Sequence, residues 1–154
     1  MTYKARFRER LSFSINCPEE LEETVIPHFS IQPLVENAVV HGIEPMEKGG
    51  KIEINVEKSD NNIIISIKDD GKGLPSDFTL ENTSDEKKHI GIENVMNRIK
   101  MFNSHSTIEF SRLSDTGGTL VKIFLPQIPQ MPQTVQLTQK AQIPQTENKT
   151  EKEA

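Results

Sequence analysis

The stretch IQPLVENAVVHG, residues 31 to 42, constrains the fold more than any other part of the chain. Its apolar residues Ile31, Leu34, Val35, Ala38 and Val39 follow the i, i+3, i+4, i+7, i+8 spacing of a helix with one face in a core. Pro33 is tolerated only in the first turn, where its missing N–H costs nothing, and Gly42 with Pro45 beyond it closes the other end. The helix is therefore short and bounded. Glu36, Asn37 and His41 mark its polar side, and Asn37 and His41, four apart, project in the same direction. They read either as a solvated edge, with His41 favoured by the dipole near the C-terminus, or as an edge that faces a ligand.

Such a helix needs a surface to lie on, and the flanking segments supply a sheet. Leu11, Phe13 and Ile15 alternate with Ser12, Ser14 and Asn16, predicting a half-buried strand that Cys17-Pro18 ends. Ile52, Ile54 and Val56 alternate with Glu53, Asn55 and Glu57. Turn formers from Ser59 to Asn62 then lead into Ile63 to Ile67, an almost unbroken apolar run that predicts the central member of an antiparallel hairpin. A second helix carries Ile92, Val95, Met96, Ile99 and Phe102 on its apolar face. Thr107 to Leu113 and Thr119 to Leu125 alternate well enough to pair about Ser114 to Gly118. The order predicts an α+β fold, a two-layer sandwich of a mixed sheet with helices on one face.

The folded unit is expected over residues 3 to 126. Basic residues 1 to 10 read as the connection to an upstream domain, and Gln127 to Ala154, rich in Gln, Pro, Thr, Lys and Glu without an apolar period, as a disordered tail. Residues from about 74 to 90 form a long polar stretch, expected to be a mobile lid over a site. A formal charge of −5 with interspersed signs argues against nucleic acid as a partner. The single cysteine, Cys17, excludes an internal disulfide and suits a reducing compartment, the cytoplasm. No stretch nears the roughly 20 apolar residues of a membrane span, so this piece is expected to make no membrane contact.

Three further patterns bear on chemistry. Asp69-x-Gly71-x-Gly73 follows the central strand; glycines let a flat ligand lie against backbone and the carboxylate can accept from an exocyclic amine, although hairpins use the same residues. Gly91 directly after the lid suggests a helix N-terminus suited to phosphate oxygens, with Arg98 on the polar side either within reach of an anion or solvated. Gly117-Gly118-Thr119 places small residues and a hydroxyl at a strand entrance, or is simply a glycine hairpin.

Taken in order, these boxes resemble the ATP-binding domain of sensor histidine kinases. QPLVENAVVHG, IKDDGKGL, HIGIENVMNRI and GGTLVKIFLP are similar to the LytS/YesM branch of that family across nearly all of residues 3 to 126. The implied fold is the histidine-kinase-like ATPase (Bergerat-type) sandwich shared with gyrase, the Hsp90 chaperone and the MutL ATPases. The resemblance implies Mg²⁺ coordination by Asn37, acceptance from the adenine amine by Asp69, room for the purine at Gly71 and Gly73, phosphate contacts at Gly91 and Ile92, and Thr119 beside the adenine. His41 and Arg98 complete the implied cofactor set for ATP and Mg²⁺. No catalytic residue is assigned, Glu36 being the one candidate.

The chain also departs from that pattern. Val40 stands where many relatives carry lysine, His89 where many carry glycine, and Pro33 where the fold-sharing ATPases keep a water-activating glutamate, which disfavours hydrolysis as the main activity. The acceptor histidine of this branch lies on an upstream helical domain; Pro27-His28-Phe29 mimics its setting, and the likeness is read as accidental. The expectation is the catalytic domain of a two-component kinase, cytoplasmic on a membrane-anchored protein and monomeric alone. Its partners would be the histidine-containing dimerisation domain and, indirectly, a response regulator. The alternatives are a nucleotide-binding regulatory module without phosphotransfer and a stand-alone serine kinase of the anti-sigma type.

Overall fold

A computed structural model describes residues 10–79 and 86–127, without the side chains of 86–90. The expected connection at 1–9, lid residues 80–85 and the tail at 128–154 lie outside the described residues. Among these residues five strands form one sheet: β1 (Leu11–Asn16), β2 (Gly50–Ser59), β3 (Asn62–Asp69), β4 (Thr107–Ser114) and β5 (Gly117–Pro126). A single 3-10 turn at Glu19–Leu21 and two longer helical elements accompany them. α1 (Gln32–Asn37) continues as a π-helical turn over Ala38–Ile43, and α2 spans Glu86–Phe102.

The sheet order is β1-β2-β3-β5-β4, with β1 parallel to β2 and every other pair antiparallel, so the expected mixed sheet is present. A strand is parallel to its neighbour only if the chain crosses over between them, and here α1 makes the crossover. β3 lies in the middle, as its apolar run predicts. β2 and β3 turn through Asp60, whose φ of 50° is one that aspartate accepts more readily than branched residues do.

One sheet face carries Ile52 and Ile54 of β2, Ile63, Ile65 and Ile67 of β3, Val121, Ile123 and Leu125 of β5, and Ile108 of β4. Leu34, Ala38 and Ile43 from α1 and its π turn, with Val95 and Ile99 from α2, join the same core. Burial of these aliphatic side chains is the main drive for the two layers to associate.

Three local expectations are corrected. Phe13 and Ile15 pair in register with the buried Ile52 and Ile54, yet they are 47% and 68% exposed, because the helical layer stops short of this edge strand. The first helix does not remain α to Gly42: Glu44 N–H donates to Val39 O at 2.8 Å, five residues back, in a widened turn. α2 begins at Glu86, so Gly91 lies in its second turn and not at its N-terminus. The N–H groups a helix leaves unpaired belong to the first four residues, ahead of Gly91.

Candidate nucleotide site

The last core-facing residue of β3 is Asp69, and across the sheet it pairs with Thr119 of β5, which pairs with Arg112 of β4. Alternation along β3 turns Asp69 to the same side as Ile65 and Ile67, which is why a carboxylate ends at the edge of an aliphatic core, 3% exposed. Its Oδ1 accepts the Gly71 N–H at 2.9 Å, and the hydroxyl and N–H of Thr119 donate to the same carboxylate. Burial nevertheless pushes its pKa above the usual aspartate value, against the opposing effect of those hydrogen bonds. The neighbouring Asp70 faces the other way, is exposed, and accepts the Lys51 N–H at 2.6 Å, capping the start of β2.

The π turn brings backbone to this carboxylate. A Cβ on Gly42 would stand 2.8 Å from Asp69 Oδ1, and one on Gly71 would be driven into the Gly42 carbonyl. Lys72 N–H donates to Gly42 O at 3.0 Å, fastening helix to turn. Gly71 is thus required by the approach of the helix and does not line the cavity, which corrects the expectation that it makes room for a purine. Gly73, at φ 80°, does line it.

Between α1 and the sheet lies a cavity of about 400 Å³, within the range of small-molecule sites. Asn37, His41, Asp69, Gly73, Ile92 and Thr119, all singled out in the sequence, line it together. Leu34, Ala38, Ile67 and Val121 supply an apolar floor, and Leu74 and Phe78 supply a wall on the side of the expected lid. Phe78 and Phe110 meet at a tilt of 52° with ring centroids 5.8 Å apart. Sequence reasoning missed Lys72, Phe78 and Phe110 as lining residues; the lone aromatic inside a polar loop was the available signal for Phe78.

Gly91, Arg98 and Glu36 are placed elsewhere. They border a separate shallow depression with Phe29 and Gln32. Arg98 Nη1 donates to His28 O at 3.4 Å and its guanidinium lies 5.7 Å from the centre of the Phe29 ring, while Glu36 accepts from Gln32 Nε2 at 3.0 Å. The sequence-based grouping of Gly91 and Arg98 with the cavity is therefore not what the fold brings together.

A mixed sheet under a helical layer, with an apolar cavity over a buried carboxylate–threonine pair and glycine turns at its rim, defines a two-layer α+β sandwich with a ligand-sized site. The profile of the histidine kinase-, DNA gyrase B- and HSP90-like ATPases matches residues 27–129, and the chain belongs to that family. It is 33% identical to the sensor histidine kinase YpdA of Escherichia coli over 80% of this chain and 21% of that protein. Identity to the sensor histidine kinase YesM of Bacillus subtilis is 33% over 62% of this chain and 16% of that one, and to LytS of Oceanobacillus iheyensis 29% over 80% and 22%. The chain thus spans about a fifth of the length of these relatives. The catalytic domain of histidine kinase ThkA superposes with a TM-score of 0.62 at 17% identity, covering 82% of this chain and 88% of that domain, which establishes the shared fold. Among the described residues no helix is long and apolar enough to cross a membrane.

Proposed function

We propose that this chain is the ATP-binding catalytic domain of a two-component sensor histidine kinase, binding Mg-ATP and delivering the γ-phosphoryl group to a histidine on a separate dimerisation domain. The observation that carries this reading is the buried Asp69, held by Gly71 and Thr119 at the floor of an apolar cavity of ligand size. A carboxylate so placed accepts from the adenine amine, and a purine lacking that donor would leave one of its buried acceptor positions without a partner. The aliphatic floor and Phe78 exclude water from the base.

Asn37 fits a cation that arrives with the phosphates. Its Nδ2 is buried with no partner in the free protein, and a flip of the amide exchanges that atom for Oδ1. Mg²⁺ takes most of its ligands from phosphate and water, so one side-chain oxygen from the chain suffices. When bound, Mg²⁺ supplies neutralisation of phosphate charge, and Asn37 would hold it. The chain's own contribution is positioning. At the acceptor, a bond forms between an imidazole nitrogen and Pγ as the bond from Pγ to the β-phosphate oxygen breaks, its electron pair leaving with ADP.

The partners are the histidine domain and, through it, a response regulator; the setting is the cytoplasmic side of a membrane-anchored kinase. Alone the piece is a monomer, and a stable dimer by light scattering would overturn that. A second reading, a regulatory module in which ATP only tunes a protein contact, is favoured by Val40, which stands where many relatives carry lysine.

The deciding experiment is calorimetric titration with ATP, with and without Mg²⁺, of the unaltered chain and of Asp69→Asn and Asn37→Ala. Binding that is abolished in the first variant and made Mg²⁺-independent in the second supports the pocket. Absence of binding by the unaltered chain refutes it, and transfer of label from γ-labelled ATP to an added histidine domain separates kinase from module.

A further inference from the structure

The rim of the cavity beyond Asp69 is built where two glycine turns interlock. Gly118 N–H donates to Gly71 O at 2.7 Å, and a Cβ on Gly73 would lie 3.1 Å from Gly117 Cα and Gly118 N. These contacts are backbone on backbone, and the segment that leaves them carries Leu74 and Phe78, the cavity wall. One side chain links that segment to the β4–β5 turn through three hydrogen bonds, one to the segment and two to the turn. Arg112 Nη1 donates to Leu74 O at 2.8 Å, Nε to Ser114 O at 2.8 Å and Nη2 to Asp115 O at 2.7 Å. Arg112 stands in the same cross-sheet row as Asp69 and Thr119, yet does not line the cavity.

We propose that Arg112 is a positioning residue for the nucleotide cavity, fixing the Leu74 to Phe78 wall to the β4–β5 turn and so setting the width between that wall and Asp69. A guanidinium suits this because its planar fork holds donors in fixed directions, enough to reach carbonyls on two chain segments at once. A lysine ammonium is a point charge on a flexible stem and cannot span the three oxygens. The proposal rests on the nucleotide reading of the cavity, but the tie between Arg112 and Leu74 is separately measurable.

The test compares the unaltered full chain with Arg112→Ala and Arg112→Lys by calorimetry against ATP and against adenosine, with hydrogen exchange and thermal unfolding alongside. Arg112→Ala is expected to lose about tenfold in affinity for both ligands, the scale of one charge-assisted hydrogen bond. Exchange should quicken in residues 72–79 and in the β4–β5 turn at 114–118 and not in the rest of the strands, the unfolding midpoint should stay close to that of the unaltered chain, and Arg112→Lys should restore little. Unchanged affinity overturns the proposal. So does a loss confined to ATP, which would make Arg112 a phosphate contact, exchange that quickens throughout, which would make it an ordinary stabilising residue, or full recovery by lysine. If the unaltered chain binds neither ligand, the nucleotide reading fails by itself. The exchange pattern then still decides whether Arg112 fixes the wall.

Discussion

Asp69 carries opposing demands. A carboxyl whose pKa is raised by burial binds its proton more tightly in the folded chain, so its titration favours folding below the ordinary value of 3.8 and that contribution is lost as pH rises through the raised value. At neutral pH the ionised group is thus kept at some expense of stability, as binding residues often are. Asp69→Asn should leave the unfolding midpoint unchanged or slightly raised while abolishing ATP binding; calorimetry and thermal unfolding on one sample check both. The same ionisation predicts that ATP affinity falls on acidification at a pH above 3.8, which titration of the unaltered chain at a series of pH values measures. The Asp-x-Gly-x-Gly spacing pointed to Asp69, and alternation along β3 is the physical reason, turning Asp69 inward and Asp70 outward.

Among the elements, α1 shows how packing overrides a helical period. Its apolar spacing is that of an α-helix, but the turn widens to π over Ala38–Ile43 and seats Gly42 against Asp69 and the Gly71 backbone. Gly42→Ala should therefore destabilise the chain by about 1–3 kcal/mol, the cost of forcing a methyl into a filled space, and weaken ATP binding as well. Equilibrium denaturation with a parallel titration measures the two effects. β1 makes the complementary point. Ile15 and Ile54 are register partners on one face, 68% and 8% exposed. Ile54→Ala should cost about 2–5 kcal/mol, whereas Ile15→Ala should cost under about 1 kcal/mol, by the same measurement. Alternation reveals which side a residue faces, and the reach of the covering layer determines whether it is buried.

Across the whole molecule the crossover through α1 makes β1 parallel to β2, while the later connection through α2 and the β4–β5 hairpin sets β5 beside β3, so that two stretches 50 residues apart meet as Asp69 and Thr119. Loop closure of that length costs entropy before any contact repays it, and the aliphatic rows of β3 and β5 supply the return. A substitution at their centre, Ile65→Ala or Ile123→Ala, should lower the denaturation midpoint and remove ATP binding in the same transition, because floor and core are one cluster.

The composition and the periodicities were enough to specify five strands, two helices, their order and the two-layer plan, since each depends on neighbours within a few residues. Resemblance of the boxes to the kinase family, and not periodicity, singled out Asn37, His41, Asp69, Gly73, Ile92 and Thr119, which line one cavity. Long-range packing settled the rest. Gly71 serves the approach of α1, Gly91 and Arg98 belong to a different depression, and Phe78, Phe110 and Arg112 shape the rim. Those roles depend on which backbone comes within a few ångströms of which side chain after the sheet has closed, a distance that no periodicity along the chain encodes.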